Sequence, residues 1–329
     1  MLGWIRALAD GERIGASTNS RCSAAAARCA APLLVVVAAS ALAGCANFKV
    51  VSKFAGDTTQ LTGTVRNEFV QLENLCFDQA ELAIVVENLK TDQALKDCAD
   101  FRASQGKLAA LTIDVLDAYA GALAALADNR SFDLSPAIQN VGAKVQALRG
   151  PDGQPLIAAN QVGALTKIVD LLADIVTSTQ REVAVRRMVA EAPNLKITGD
   201  LMRSFFIPPP GAPANARSAY ENLIRIISQS FSSTEARLNT KLMRDAEPIR
   251  TGELLRQVHT RQAAIEPRTG RSADRVPMKM VGAIDAWQQA VDLFATDALK
   301  PDPEALYTRL KELREKTLAA KEAVEDLQH

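Results

Sequence analysis

Apolar residues recur at intervals of three and four along nearly the whole of this chain, and that spacing admits helices and little else. Val65, Phe69, Leu72, Cys76, Ala83, Val86 and Leu89 form one face of a long helix. A hairpin turn at Asn88–Asp92 follows, with Thr91 or Asp92 available to cap a second helix through Leu95, Cys98, Leu108, Leu111, Val115, Tyr119, Leu123 and Leu126. The small residues from Ala120 to Ala127 permit close helix approach, and Asp128-Asn129 breaks the pattern. Ser135-Pro136 reads as a capped start, with proline at the first helical position, of a helix ending at Gly150 before the turn Pro151-Asp152-Gly153.

A long helix is expected from about Ala158 to Glu191, with Leu165, Ile168, Leu172, Ile175 and Val183 facing inward and Pro193 stopping it. Leu201 to Ile207 is a short apolar piece ahead of Pro208-Pro209-Pro210-Gly211-Ala212-Pro213, the strongest breaker in the chain. Helices then follow over about Asn215–Ala246, Thr251–Ile265 and Met280–Leu299, with a polar loop from Glu266 to Pro277. Asp302-Pro303 opens the last helix, where Leu306, Leu310, Leu313, Thr317, Ala320, Val324 and Leu327 make a coiled-coil-like stripe. A stripe of about three heptads fits a seam within one bundle, and also a short oligomer interface. No run alternates with period two and no repeat of fixed length appears, so the expected fold is all-α, an elongated bundle of about seven to nine helices.

Ahead of this helical part lies a different signal. Arg21 and Arg28 precede the uncharged run Leu33-Leu34-Val35-Val36-Val37-Ala38-Ala39-Ser40-Ala41, which Leu42-Ala43-Gly44-Cys45 closes. A basic start, an apolar middle of about 7–15 residues and small residues at the cut are the parts of an export signal. The run falls short of the roughly 20 apolar residues that span a bilayer core. Leu42-Ala43-Gly44-Cys45 resembles the lipobox of bacterial lipoproteins. The resemblance implies cleavage between Gly44 and Cys45 and attachment to the membrane through lipid on Cys45. Ala46 in the next position resembles an outer-membrane address more than an inner-membrane retention signal.

Removing residues 1–44 changes the count of 38 basic and 38 acidic residues to 34 and 36. A chain this close to neutral has no electrostatic footprint for nucleic acid, and aromatics at 5% leave little for base or sugar stacking. Of the five cysteines, Cys22 and Cys29 leave with the signal and Cys45 takes the lipid. Cys76 and Cys98 remain, an even pair in an oxidising compartment, which reads as a disulfide. Two buried free thiols on helix faces are the other reading, because the turn at Asn88–Asp92 is not midway between them.

Reactive constellations are scarce. With only His259 and His329, His-Glu-x-x-His zinc spacing cannot occur, and no histidine lies near the cysteine pair. There is no Gly-x-Ser-x-Gly elbow, and Gly106-Lys107 lacks the upstream glycine of a phosphate loop. His259 has no identifiable partner and reads as structural or exposed. No catalytic residue, metal ligand or cofactor is expected. Three segments are candidate surfaces: the proline segment, as a polyproline ligand or a stiff connector; Arg181, Glu182, Arg186 and Arg187, as a solvated helix face; and the loop carrying Arg268, Arg271, Arg275 and Lys279. The basic residues of that loop could touch anionic headgroups or peptidoglycan carboxylates, or be simply solvated.

The expected organisation is a signal peptide over 1–44, a lipidated tether over 45–60, a first bundle half over 61–207, the proline connector over 208–213 and a second half over 214–329. The two halves are either separate or parts of one bundle. The expected function is a membrane-anchored periplasmic lipoprotein that binds an envelope protein as a scaffold, adaptor or inhibitor, with no nucleic-acid partner. The alternative is a carrier of a small ligand or lipid in an apolar cavity inside the bundle. An enzyme with carboxylates contributed by distant helices ranks third.

Overall fold

The computed structural model describes residues 30–87, 93–150, 153–176, 180–213, 216–244, 248–270, 272–300 and 302–327, with side chains from Phe48 on except those of Val85 and Glu87. The export-signal residues Arg21 and Arg28, the turn at Asn88–Asp92, Pro151, Asp152, Arg271 and His329 lie outside the described residues. So do the side chains of Gly44 and Cys45. Residues 1–43 and residues 44–329 are two separate units. In the first, residues 30–43 are helical.

The second unit is all-α, as the apolar spacing predicts, and among the described residues it contains no strand. The helices are α1 (Ala30–Glu87), of which residues 44–87 belong to this unit, α2 (Gln93–Phe101), α3 (Lys107–Ala127), α4 (Val141–Gln146), α5 (Ala159–Val176), α6 (Arg181–Ala190), α7 (Ala192–Ser204), α8 (Ala219–Leu242), α9 (Pro248–Ala263), α10 (Val276–Asp297) and α11 (Glu304–Glu325).

α1 is the axis of the unit. Val50, Val51, Phe54, Ala55, Thr58, Leu61, Thr62 and Val65 continue its apolar stripe upstream and are all buried. The expected tether over 45–60 is therefore corrected from Val50 onward: this stretch is core helix, and Phe54 stacks on Phe294 of α10 with ring centroids 4.2 Å apart. The spacing of three and four was present before Val65 but was interrupted by Thr58 and Thr62. Both hydroxyls satisfy themselves on the helix, donating to the carbonyls of Phe54 and Thr58, so each can be buried at little cost.

α2 and α3 are joined by a π-helical turn, Arg102–Gly106. A Cβ on Gly106 would stand 2.4 Å from Oε1 of Glu73, the carboxylate that accepts from Arg102 Nε at 3.0 Å. The whole stretch Gln93–Ala127 is long and apolar enough to cross a bilayer, but its apolar side is interior surface of this bundle.

The helix expected over Ala158–Glu191 is two helices, α5 and α6. At the start of α6 the Arg181 guanidinium lies 3.7 Å from the Phe48 ring and donates to the Ala127 carbonyl, tying that end to two other elements. The face of α6 shifts accordingly. Ala184, Val185, Met188 and Val189 are buried, whereas Val183, expected inward, is 46% exposed. Pro193 does not stop a helix but opens α7, in the first turn where its missing N–H is not needed. Ser135-Pro136 starts only a short 3-10 turn, with Ser135 Oγ accepting from Ala137 N, and the helix expected to reach Gly150 ends at Gln146.

α8 begins four residues later than expected, at a capping box in which Ser218 Oγ accepts from Glu221 N and Glu221 Oε2 accepts from Ser218 N. The proline segment before it is a turn inside one packed unit. Phe205 and Phe206 on one side of it share an aromatic cluster with Tyr220 on the other and with Phe69 of α1. α11 lies along α10, and Leu306, Leu310, Leu313, Thr317, Ala320 and Val324 are all buried, which makes the coiled-coil-like stripe an internal seam.

α7 and α10 approach closely at Gly199, whose added Cβ would meet Trp287 Cζ3 at 2.8 Å and Gln288 at 2.9 Å. Trp287 is fully buried and donates from Nε1 to Thr58 Oγ1 at 3.0 Å, so its ring has little room to move. Alanine gains about 1 kcal/mol of helix propensity over glycine, but overpacking a dense core costs about 1–3 kcal/mol. Gly199→Ala is therefore expected to destabilise the protein, read as a lower urea midpoint with an unchanged slope. A higher midpoint would show that Trp287 and Gln288 can give way.

Candidate binding cleft

Two cavities open to solvent and share one lining residue. The first, about 1070 Å³, lies between the end of α7, the proline segment, the start of α8 and the middle of α10. Arg203 Nε pairs with Asp285 Oδ1 at 3.0 Å across it, and Gln288 Nε2 donates to Asp200 Oδ1 at 2.7 Å. Pro209 and Pro210 form part of its rim, beside Arg217, which is exposed. The second, about 550 Å³, lies between α2 with its π-turn and the first half of α8. Its lining combines Asp97 and Asp100 with Arg149 and Arg225, and includes Phe101 and Ile226. Gln105, in the π-turn, lines both cavities.

Two buried polar atoms at this junction have no hydrogen-bond partner, the Gln105 side-chain oxygen Oε1 and Arg225 Nε. The rest of the Arg225 guanidinium is engaged, with Nη1 donating to Gln229 Oε1 at 2.7 Å. A buried acceptor and a buried donor left open cost about 1–3 kcal/mol each when nothing pairs them.

The expected basic loop is not a common surface. Arg268 is 4% exposed and forms the most deeply buried ion pair described. Its Nε donates to Glu68 Oε1 at 2.8 Å, Nη2 donates to Glu68 Oε2 at 3.1 Å and to Gln71 Oε1 at 3.0 Å, and Nη1 donates to the Ala264 carbonyl at 2.8 Å. Tyr220 Oη donates to the same Glu68 Oε1 at 2.8 Å. Arg268 as a surface contact is thus corrected: it is a clasp joining α1, α8 and the short turn Glu266–Arg268. A lone charge cannot enter the core, but one with a bidentate carboxylate and a carbonyl acceptor can. Burial is the largest influence on Glu68 and raises its carboxyl above the ordinary value, while Arg268 and Tyr220 pull it down. Burial, reinforced by Glu68, likewise pushes the Tyr220 hydroxyl well up.

Arg275 turns to Glu266 Oε1 at 2.6 Å, and that hydrogen bond holds Glu266 below the usual carboxylate range. Lys279 is half-buried on α10. The loop's two described charges outside the core therefore belong to local pairing and to a helix flank. On α6, Arg186 pairs with Glu182, and Arg187 with Asp174 of α5, a solvated network as the spacing predicts. His259 is exposed, with Nε2 3.2 Å from Glu235 Oε1, a partner on a different helix that the sequence does not reveal.

Cys76 and Cys98 form a disulfide between α1 and α2, with Cα atoms 6.0 Å apart, which decides between the two readings of the pair. The uneven spacing about the turn is accommodated because α1 runs on to Glu87. There its overhanging end is covered by α8, whose Lys241 donates to the Val86 carbonyl at 2.7 Å.

Among the described residues no group of three or more His, Cys, Asp or Glu is placed to hold a metal ion. Comparison with protein-family models, with curated proteins and with solved structures finds no match to this chain.

Glu68 and Tyr220 escaped the sequence reading although a signal was there. Glu68 stands between Val65, Phe69 and Leu72 on the apolar face of α1, and a carboxylate on such a face must have a buried partner. Gln105 and Arg225 gave no such signal, because polar residues at helix edges are ordinary.

Proposed function

We propose that the protein is a lipid-anchored, non-enzymatic binding module of the bacterial cell envelope, held at the membrane through Cys45 and engaging an envelope protein through its helical unit. The observation that carries this reading is where α1 enters the core. Phe48, three residues after Cys45, already lies against Arg181, and Val50 is fully buried. Three residues reach about 10 Å at most. A lipid on Cys45 therefore holds a rigid bundle close to the bilayer surface rather than at the end of a long tether. Several acyl chains, at about 0.8 kcal/mol per buried methylene, suffice for such anchoring. The open cleft between α2, α7, α8 and α10 supplies the binding face, and the buried Glu68–Arg268 pair, with its bonds already made inside the protein, is best read as structural. The carrier reading has less support, since the large cavities open outward and are edged by Arg, Asp, Gln and Pro.

Cys45→Ala is the test. The variant is expected to lose metabolically incorporated palmitate and to move from the membrane to the soluble fraction. It is expected to keep its circular dichroism spectrum and melting temperature, because the packing described for the bundle begins at Phe48. In vivo cross-linking should then recover an envelope protein with the wild type and lose it with the variant. Retention of the label, or membrane association without it, would sink the anchoring reading.

A further inference from the structure

We infer that the tip of the α8–α9 hairpin is a second contact with the bilayer that holds Cys45, made to anionic lipid, so that the bundle lies along that surface instead of standing on it. This rests on the reading of Cys45 as the lipid-bearing residue, and it adds where else the protein meets the membrane. The tip carries the two most exposed large apolar side chains described. Met243, just past the end of α8, is 85% exposed and Ile249, in the first turn of α9, is 89% exposed, with Leu242 beside them at 38%. None of the three belongs to the hydrophobic core. Single exposed apolar residues are ordinary, but three of them flanking one short connection mark a surface that meets something apolar.

Charge selects the lipid. Arg237, Lys241, Arg244 and Arg250 are all exposed around the tip, and against Asp245 and Glu247 they leave residues 237–250 with an excess of two positive charges. Apolar side chains at the crown of a convex hairpin, with arginine and lysine on its flanks, suit the boundary of an anionic bilayer. The apolar groups enter the acyl edge while the cations stay at the phosphates. Two contacts place the tip relative to the anchor. Gln79 Nε2 donates to Thr234 Oγ1 at 3.3 Å and Lys241 Nζ donates to the Val86 carbonyl at 2.7 Å. α8 therefore runs beside α1 in the same direction, and the tip lies at the far end of α1. Between Phe48 and Val86 that helix rises about 57 Å at 1.5 Å per residue. A tip so far from the anchor touches the anchoring bilayer when the bundle lies along it. Two surplus charges and three side chains bind weakly by themselves at physiological salt. The lipid on Cys45 makes the contact intramolecular and strengthens it by about 10²–10⁴, help that an opposing bilayer would not receive.

The test uses the lipidated full chain with a thiol-linked fluorophore on Thr240→Cys, an exposed position one turn before the tip, Cys76 and Cys98 being bridged and buried. It is reconstituted in vesicles of phosphatidylcholine and phosphatidylglycerol that contain a lipid with a nitroxide on its headgroup. The nitroxide is expected to quench the dye. Quenching should fall severalfold with Met243→Asp and Ile249→Asp together, in phosphatidylcholine alone, and in high salt. The two aspartates should leave the melting temperature unchanged, because both side chains are exposed. Nitroxide confined to a second, protein-free vesicle population should not quench; quenching there would assign the tip to an opposing bilayer and overturn the proposal. An unquenched dye on a chain that floats with the vesicles, or quenching that ignores the two aspartates, would also overturn it. The Cys45→Ala chain should bind the same vesicles only weakly, in a salt-sensitive way that the two aspartates abolish, and should leave a washed membrane fraction. Palmitate labelling reads the anchor separately. A labelled chain with an unquenched dye keeps the anchor and removes this inference, and an unlabelled chain that binds anionic vesicles through the tip does the reverse.

Discussion

Glu68→Leu is expected to cost about 3–5 kcal/mol of folding stability, the largest single effect in the molecule. The substitution keeps an apolar side chain on an apolar face, and by local spacing alone it should be harmless. Its cost comes from what it strands. The Arg268 guanidinium, 3% exposed, loses both bonds to the carboxylate, and the Tyr220 hydroxyl loses its acceptor. The double variant Glu68→Leu with Arg268→Met should recover a large part of the loss, because burying the ion pair also required desolvating both ions. Urea denaturation of the wild type, both single variants and the double forms the cycle. A single variant within about 1 kcal/mol of wild type would show that the clasp does not hold these elements together. The pH dependence follows from the direction of the shift. Burial places the folded-state value of Glu68 above the ordinary 4.5. Its contribution is then fully present below the unfolded value and is lost as pH rises through the folded one. Wild type should lose stability over that interval relative to Glu68→Gln, and a slope of the opposite sign would mean that Arg268, not burial, dominates.

Removing the disulfide is the second large effect. Cys76 and Cys98 are 22 residues apart and both 2% exposed. Closing a loop of that length restricts the unfolded chain by about 3 kcal/mol in the entropic account. Cys76→Ala with Cys98→Ala should lose about that much stability, read as a lower urea midpoint, with the helical spectrum unchanged. Produced without oxidant, wild type should match the double variant and gain stability on oxidation. The same experiment bears on the compartment: a chain that reaches full stability only when oxidised is suited to an exported location. Equal stability of reduced and oxidised wild type would remove the bridge from the argument and leave two packed thiols.

The fold was legible to different depths in different places. Periodicity located nearly every helix, and the heptad stripe of the last one is a buried seam. Boundaries failed where a tertiary contact redirected the chain. One expected helix is two, with Arg181 at the start of the second held by Phe48 and Ala127 and Val183 facing solvent. The segment before Val65 looked like a tether because its threonines interrupt an apolar stripe that their own helix satisfies. Arg268 looked like surface because it sits in a polar loop, and nothing near it in sequence reveals a carboxylate two hundred residues away. The cleft was the least legible part. Its walls come from helices far apart in the chain, and each of its residues taken singly is an ordinary member of a helix edge.

By itself the sequence determined the fold class and the pairing of the two remaining cysteines as the favoured reading, and a resemblance of Leu42-Ala43-Gly44-Cys45 to a lipobox is what motivates the envelope proposal. Each of these is written in neighbours a few residues apart, and a helix is a local object whose spacing repeats within one or two turns. The tertiary structure alone decided which polar residues on the inner face of α1 are satisfied and by whom. Trp287 donates to Thr58, Arg268 and Tyr220 to Glu68, and Thr62 to Asp117. It also decided that α2, α7, α8 and α10 leave open cavities between them. Those outcomes depend on how helices pack after they form, and packing joins residues that local spacing cannot relate.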